Sequence, residues 1–267
     1  MTSPDPLLRL LVPFTRHPAR SALLLDFDGA LAPIVADPDG ARPLPGSVAA
    51  LEALAGTVGL LAVVSGRPVE FLERVLPPAL AGSSRVRLAG QHGLERSVGG
   101  RREVDTRAAA FREAVEAAAG EAEAEMPELV VERKGGIAVN LHWRRVPDRA
   151  APGEALGRRL AERHGLAAWP MRMGVELRPP VPVDKGTVVE DLAAGHHAAL
   201  FAGDDHGDLA GFAALDRLVA AGRLDHALRI AVRSDEAPAD LLEAADHVVD
   251  GPPGLAALLA RIAGAGR

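Results

Sequence analysis

Three short runs of apolar residues constrain the fold of this chain more than any other feature of its sequence. They cover residues 22–25, 60–64 and 198–202, and none of them shows polar alternation. A strand that is covered on both faces has this composition, whereas a strand with one solvated face alternates apolar and polar residues. Helical patterns lie between the runs. The sequence therefore predicts βαβ units and a Rossmann-like parallel sheet, which is an α/β fold.

Each apolar run ends in polar residues. The first leads into Asp26-Phe27-Asp28-Gly29, the second into Ser65-Gly66-Arg67 and the third into Gly203-Asp204-Asp205. In open α/β sheets, ligands bind beyond the carboxyl ends of the strands. We therefore expect these three segments to meet in space, although they are far apart in the sequence.

The acidic residues in these segments suggest two kinds of chemistry. Two carboxylates as close as Asp26 and Asp28 repel each other, and a divalent cation bound between acidic groups relieves that repulsion. Mg²⁺ takes oxygen ligands, which Asp26, a backbone carbonyl and Asp204 supply. A carboxylate is also a competent nucleophile toward phosphorus. The Asp-x-Asp-Gly pattern alone is equally consistent with simple turn chemistry.

A different pattern occupies the middle of the chain. Residues 101–182 give a helix, two strands, a helix and two strands, and Ile137, Val139 and Leu141 alternate with other residues. This alternation predicts a half-buried antiparallel sheet with two helices on one face. We therefore expect an inserted α+β cap domain of αββαββ order over 101–182, acting as a lid, within a catalytic core formed by 1–100 and 183–267.

Composition excludes several classes of partner. The chain has 30 basic and 36 acidic residues, a formal charge of −6, which leaves no broad basic surface for nucleic acid. It has no cysteine, which excludes disulfides and thiolate sites and fits a reducing compartment. No run approaches the roughly 20 apolar residues of a membrane span, and no export signal is recognisable. We expect a cytoplasmic monomer without a membrane partner.

The basic residues are strongly biased toward arginine. Only two of the 30 are lysines, Lys134 and Lys185. Such a bias is typical of a GC-rich genome, in which arginine replaces lysine wherever arginine will serve. The two lysines either survived by chance or occupy positions that require an ammonium group.

Four segments, in their order and spacing, resemble the signature motifs of the haloacid dehalogenase superfamily of phosphotransferases. The middle of the chain is similar to one branch of it, the trehalose-6-phosphate phosphatases. The superfamily motifs are Asp26-Phe27-Asp28-Gly29, Val64-Ser65-Gly66-Arg67, Asp184-Lys185-Gly186 and Gly203-Asp204-Asp205, and the branch is indicated by Gly90-Gln91-His92-Gly93, Glu132-Arg133-Lys134-Gly135, His142-Trp143-Arg144 and Val175-Glu176-Leu177-Arg178-Pro179.

The resemblance implies a haloacid dehalogenase core with an inserted cap. It also implies a magnesium-dependent phosphatase that hydrolyses trehalose 6-phosphate to trehalose and phosphate through an aspartyl-phosphate. The implied roles in the core are a nucleophile, Asp26; an acid/base, Asp28; a cationic catalytic residue, Lys185; phosphate-binding residues, Ser65 and Gly66; metal ligands, Asp26, Asp28 and Asp204; and supporting residues, Asp205 and Asp208.

The resemblance also implies contacts with the sugar. In the cap, Glu132, Lys134 and Glu176 match positions that recognise hydroxyls of the disaccharide, and at each of them an exposed charged sheet face is an equally good interpretation. His92 is expected at the edge of the site. Arg67 either orients the substrate or lies on the surface where a helix begins.

Two departures from the motifs keep alternatives open. Ala30 stands where the first motif usually has threonine, and Leu209 where the fourth usually has glutamate. These changes affect the expected rate more than the reaction class. One alternative is a phosphatase of the same fold that acts on mannosyl-3-phosphoglycerate or sucrose phosphate, and another is a weakened sugar-phosphate-binding regulatory module. The expected partner is a small-molecule sugar phosphate, and any trehalose-phosphate synthase would be a separate chain.

Overall fold

The computed structural model describes residues 6–35, 37–171, 173–235 and 237–265. Its residues form two compact units. The core unit runs up to Arg102 and resumes at Val183, and the inserted unit is Glu103–Pro182. The inserted unit starts at Glu103, two residues after the boundary that we predicted.

Short strands and helices alternate through most of the described residues. The strands are β1 (Ser21–Leu25), β2 (Leu60–Val64), β3 (Val86–Gly90), β4 (Glu95–Val98), β5 (Arg101–Val104), β6 (Val130–Lys134), β7 (Ala138–His142), β8 (Ala167–Met171), β9 (Gly174–Arg178), β10 (Ala198–Gly203), β11 (His226–Arg233) and β12 (His247–Asp250). The helices are α1 (Pro6–Arg16), α2 (Pro45–Ala55), α3 (Val69–Val75), α4 (Pro78–Ala81), α5 (Thr106–Ala109), α6 (Arg112–Glu125), α7 (Ala150–His164), α8 (Lys185–Ala193), α9 (Leu209–Ala220), α10 (Ala239–Ala244) and α11 (Gly251–Ala265).

An eight-stranded sheet of order β12-β11-β10-β1-β2-β3-β4-β5 forms the centre of the core unit. The six strands from β12 to β3 are parallel to their neighbours, and β4 pairs with β3 in the antiparallel direction. Leu24 in β1 lies beside Phe201 of β10 and Ala62 of β2. This arrangement confirms the predicted α/β fold with a parallel sheet.

The three apolar runs form β1, β2 and β10, and every residue of these strands is buried. Alternate side chains enter two separate hydrophobic clusters, one on each face of the sheet. Leu23 and Leu25 belong to one cluster, and Ala22 and Leu24 to the other. Burial on both faces explains why these runs lack polar alternation.

The inserted unit contains α6, β6, β7, α7, β8 and β9, which is the predicted αββαββ order. Its antiparallel sheet has the order β6-β7-β9-β8. One face packs on α6 and α7 through an apolar cluster that includes Val115, Leu141, Leu156 and Leu177. The single helix predicted at the start of this domain is two helices, since α5 ends at Ala109 before α6 begins.

No helix among the described stretches of the chain has the length and apolar character needed to cross a membrane.

Candidate functional site

The polar segments after β1, β2 and β10 lie together at the carboxyl end of the sheet. Asp26 directly follows β1, and its backbone N–H donates to the carbonyl of Ala202 in β10 at 2.9 Å. Ser65 directly follows β2, and its N–H donates to the carbonyl of Ala89 in β3 at 2.8 Å. Because the strands are parallel neighbours, their ends place these residues at one edge of the sheet.

Lys185 brings a positive charge to this edge. It is the first residue of α8, and the preceding Asp184 caps the helix by accepting the backbone N–H of Thr187 at 2.8 Å. Its Nζ lies 2.8 Å from Asp208 Oδ1 and 3.3 Å from Asp26 Oδ1, and Lys185 is 4% exposed. The cap at Asp184 therefore fixes the point from which the ammonium reaches the buried carboxylates.

Three buried carboxylates among the described residues have oxygen atoms within 4.8 Å of one another. They belong to Asp26, Asp204 and Asp208. Asp208 uses both of its oxygens, because Oδ1 accepts from Lys185 while Oδ2 accepts the backbone N–H groups of Asp204 and Asp205 at 2.9 and 3.0 Å. Asp208 therefore orders the loop, and Asp26 and Asp204 are better suited to bind a cation.

The electrostatics of the cluster favour a bound cation. Burial raises the pKa of Asp26 well above its ordinary value despite the attraction of Lys185, and burial and neighbouring carboxylates raise the pKa of Asp204 to about 7. Burial also raises the pKa of Asp208, to about 6. Burial alone lowers the pKa of the Lys185 ammonium, but the surrounding carboxylates outweigh this effect and raise it. The single ammonium leaves an excess of negative charge, which a divalent cation neutralises.

Asp28 forms an ion pair with Arg67. Its carboxylate is not part of the three-carboxylate group, and both of its oxygens accept from the guanidinium of Arg67, Oδ2 from Nε at 2.7 Å and Oδ1 from Nη2 at 2.8 Å. We predicted Asp28 as a metal ligand and Arg67 as a substrate contact, and both stay predictions. In the structure the two side chains pair with each other.

Ser65, Gly66 and His92 lie close together. The Ser65 hydroxyl accepts the backbone N–H of Arg67 at 3.1 Å, and the Ser65 carbonyl accepts that of His92 at 3.0 Å. A Cβ on Gly66 would lie 2.9 Å from the His92 ring, so the ring requires glycine there. Gln91 and His92 both have left-handed backbones, with φ of 52° and 57°. Such strain clusters at functional sites, and the Gly90-Gln91-His92-Gly93 motif was the sequence signal for this loop.

The inserted unit carries its own cluster of polar residues, at alternate positions of β6, β7 and β9. Lys134 Nζ lies 2.9 Å from Glu176 Oε1, and both residues are buried. Glu132 Oε2 accepts from Asn140 Nδ2 at 3.0 Å and lies 3.1 Å from His142 Nε2. The structure therefore brings the three predicted sugar-contacting residues of the cap, Glu132, Lys134 and Glu176, into one polar cluster on this sheet.

Four residues of this cluster were not predicted as site residues from the sequence, namely Asn140, His142, Trp169 and Arg178. Asn140 lies between Glu132 and Glu176 in the strand register, and Trp169 lies beside Glu176. The Arg178 guanidinium stacks on the Trp169 ring at 4.1 Å, and Trp169 is 50% exposed. Period-two alternation of polar residues along β6, β7 and β9 was the available signal, but the pairing register was needed to bring them together.

The strand-end cluster has the groups that phosphoryl transfer requires. It combines a buried carboxylate at Asp26, a cationic neighbour at Lys185, a second carboxylate at Asp28 and paired acidic residues that fit a divalent cation. Charge that develops on phosphoryl oxygens is stabilised by such cations, and a second carboxylate is able to move a proton.

Comparisons with known proteins agree with this interpretation. The family model described as Trehalose-phosphatase matches residues 24–242. A trehalose-phosphate phosphatase of Mycobacterium marinum is 34% identical over 215 residues, which are 76% of this chain and 53% of the relative. The chain thus spans about half the length of this curated relative.

Two solved structures share the fold. The C-terminal domain of Candida albicans trehalose-6-phosphate phosphatase is 22% identical with a TM-score of 0.74, covering 99% of each chain. A haloacid dehalogenase-like hydrolase from Bacteroides thetaiotaomicron is 14% identical with a TM-score of 0.58, covering 91% of this chain and 99% of the other. The family match extends over most of the sequence and includes every strand-end segment of the core site. The chain therefore belongs to the trehalose-phosphatase family.

Proposed function

We propose that this protein is a magnesium-dependent phosphatase that hydrolyses trehalose 6-phosphate to trehalose and phosphate through an aspartyl-phosphate. The observation that carries this proposal is the buried Asp26 carboxylate, 3.3 Å from Lys185 and within the acidic group formed with Asp204 and Asp208. The names of the relatives support the choice of substrate.

In the first step, a carboxylate oxygen of Asp26 attacks phosphorus. The bond between phosphorus and the sugar oxygen breaks, its electron pair stays on that oxygen, and the oxygen takes a proton from Asp28. The Ser65 hydroxyl lies at the adjacent strand end and hydrogen-bonds the phosphoryl group. The products of this step are trehalose and an acyl phosphate of Asp26, the aspartyl-phosphate.

In the second step, a water oxygen attacks the phosphorus of the aspartyl-phosphate. Asp28, now a carboxylate, accepts a proton from this water, and the bond between phosphorus and Asp26 breaks. The electron pair returns to Asp26, which is restored as a carboxylate, and phosphate leaves. The same residue therefore acts first as a general acid and then as a general base.

The residues at the site fit Mg²⁺. Asp26 and Asp204 offer carboxylate oxygens, the donor type that Mg²⁺ prefers, while Asp208 holds the loop of Asp204 in place through its backbone bonds. When bound, the cation supplies positive charge that stabilises phosphoryl oxygens. Burial raises the pKa of Asp26, so nearby positive charge is also what keeps this residue ionised and nucleophilic at neutral pH.

We propose that the inserted unit acts as the cap that recognises the sugar. Its polar cluster presents carboxylates at Glu132 and Glu176 and an ammonium at Lys134. Sugar hydroxyls both donate and accept hydrogen bonds, so a mixed set of carboxylates and an ammonium is suited to bind them.

Phosphate release from a panel of sugar phosphates tests the proposal. Trehalose 6-phosphate, sucrose phosphate and mannosyl-3-phosphoglycerate are incubated with the full chain, in Mg²⁺ or in a chelator. We expect turnover of trehalose 6-phosphate that requires Mg²⁺, that Asp26→Asn abolishes and that the control Asp250→Asn leaves unchanged, since Asp250 has a side chain 85% exposed and pairs with Arg233.

Each other result has a defined meaning. A preference above tenfold in kcat/KM for another sugar phosphate, about 1.4 kcal/mol in the transition state, would assign the enzyme to that substrate. Binding of sugar phosphates without metal-dependent turnover of any of them would indicate a regulatory binding module and would refute the enzymatic proposal.

A further inference from the structure

We propose that Arg67 is a positioning residue that holds the Asp28 carboxyl group in the orientation needed for both proton transfers. This inference rests on the proposed function, because it assigns a role within the same reaction. It differs from the sequence-based expectation that Arg67 contacts the substrate.

The first observation is the geometry of the pair. Nε and Nη2 of Arg67 donate to the two different oxygens of Asp28 at 2.7 and 2.8 Å. A guanidinium that donates in parallel to both oxygens of a carboxylate fixes the plane of that carboxylate as well as its position. A single hydrogen bond would leave the carboxylate free to rotate.

The second observation is that the loop around Asp28 offers it no other side-chain donor. The residues that follow are Gly29, Ala30 and Leu31, which carry no polar side-chain atoms. Every hydrogen bond to the Asp28 carboxylate within the described part of the chain comes from Arg67. Among the described residues, Arg67 therefore supplies the side-chain hydrogen bonds that orient the Asp28 carboxyl group.

The third observation is that Arg67 is itself fixed from several sides. Its guanidinium stacks on the ring of Phe71 at 4.6 Å, its N–H donates to the Ser65 hydroxyl, and its carbonyl accepts from Gln91 at 2.9 Å. The Phe71 ring in turn packs edge-on against Phe27 at 5.7 Å, and Phe27 is the residue before Asp28. Through these contacts, the segment after β1, which carries Asp28, packs against the segment after β2, which carries Arg67.

Orientation matters for the role proposed for Asp28. The carboxyl must face the departing sugar oxygen in the first step and a water molecule in the second. A displacement of about 1 Å in a reacting group costs on the order of a hundredfold in rate. We therefore expect loss of the two hydrogen bonds from the Arg67 guanidinium to reduce kcat while the affinity for substrate changes little.

The test compares Arg67→Gln and Arg67→Lys with the control Arg74→Gln. Arg74 stacks on the same Phe71 ring at 5.1 Å, but its side chain is 56% exposed and pairs with Asp39. Both glutamine variants therefore remove a guanidinium from Phe71, and only the Arg67 variants change the partner of Asp28. Circular dichroism and thermal unfolding establish that each variant is folded.

Two substrates separate positioning from phosphate binding. With trehalose 6-phosphate, we expect kcat of both Arg67 variants to fall at least tenfold with KM within threefold of wild type. With p-nitrophenyl phosphate, whose leaving group needs no proton, the first step proceeds without Asp28 and the second does not. Rapid mixing should therefore show a burst of p-nitrophenol that approaches one equivalent per enzyme in the Arg67 variants, and wild type and Arg74→Gln should lack it.

Three results would overturn the inference. They are a KM increase above tenfold on both substrates with unchanged kcat, full activity of Arg67→Lys, or equal behaviour of Arg67→Gln and Arg74→Gln. If wild type hydrolyses p-nitrophenyl phosphate but not trehalose 6-phosphate, the proposed substrate fails, while the burst experiment still decides the role of Arg67.

Discussion

Replacing Gly29 with alanine should disable the site while leaving the fold almost intact. Gly29 has a φ of +74°, and a Cβ at this position would lie 1.9 Å from Oδ2 and 2.2 Å from Cγ of Asp204. Asp204 is buried, and its backbone N–H is held by Asp208. The Asp204 carboxylate must therefore move by more than about 1 Å to restore an ordinary contact distance.

Two separate costs follow from this geometry. The left-handed backbone costs about 1–2 kcal/mol for any residue that carries a Cβ, which lowers the thermal midpoint by a few degrees. The displacement of Asp204 acts on the reaction instead. A shift of about 1 Å in the site predicts a loss on the order of a hundredfold in kcat, or about 2.7 kcal/mol. We also expect at least a tenfold rise in the Mg²⁺ concentration needed for half-maximal activity.

Gly100 supplies a matched control. It has nearly the same φ, +76°, but a Cβ there would meet nothing within 4 Å. Gly100→Ala should thus lose the same few degrees in thermal unfolding and keep its activity. The assay measures kcat on trehalose 6-phosphate over a Mg²⁺ titration, together with the thermal midpoint, for wild type and both variants. If the activity of Gly29→Ala lay within threefold of Gly100→Ala, the contact with Asp204 would have no role in the site and the reasoning would be refuted.

Three further predictions concern charged residues. Lys185→Arg should reduce kcat at least a hundredfold in a steady-state assay and leave the circular dichroism spectrum unchanged. A guanidinium does not fit the buried position at which the ammonium contacts three carboxylates. Near-normal turnover would contradict this prediction. Lys134→Arg should raise KM for trehalose 6-phosphate more than it lowers kcat, since Lys134 contacts Glu176 outside the core unit; an effect on kcat alone would argue against sugar recognition. The hydrogen bond with His142 lowers the pKa of Glu132 from 4.5 to about 2. The ionised Glu132 therefore adds to the free energy of unfolding, fully above about pH 4.5, and this contribution is lost as the pH falls toward 2. The difference in thermal midpoint between wild type and Glu132→Gln should therefore be larger at pH 6 than at pH 3, and a difference independent of pH would contradict the assignment.

The central strands could be predicted from the sequence, while the outer ones could not. The apolar runs 22–25, 60–64 and 198–202, which lie in β1, β2 and β10, carry no polar residue that competes with the strand interpretation. In contrast, β11 contains Arg229 and Arg233, because several of its residues are partly or fully exposed. Near the edge of a sheet, polar residues are tolerated, and an uninterrupted apolar run is no longer expected.

The membership of the core site was predictable, but the pairing of its side chains was not. Asp26, Ser65 and Asp204 each follow a buried strand, so topology alone places them at one edge. The contact between Arg67 and Asp28 joins residues 39 positions apart and depends on side-chain conformation, which no motif specifies. Likewise, the polar cluster of the inserted unit depends on the pairing register, which places Asn140 between Glu132 and Glu176.

The arginine bias of the sequence can now be compared with the chemistry at each buried cation. The buried basic residues of the described chain are Lys134, Lys185 and Arg178, although lysines are only two of the 30 basic residues in the sequence. Arg178 stacks on an aromatic ring, which a planar guanidinium does well. Arg178 also lies 3.7 Å from Glu176 Oε2, and each lysine directs its ammonium at a buried carboxylate oxygen at a shorter distance, 2.9 Å for Lys134 and 2.8 Å for Lys185. A compact ammonium approaches several oxygens from one point, whereas a guanidinium requires them in its own plane. Lysine would thus be retained at positions 134 and 185, where the geometry requires a compact charge, despite the bias toward arginine. The changes in kcat and KM of Lys134→Arg and Lys185→Arg measure how strongly each position requires lysine.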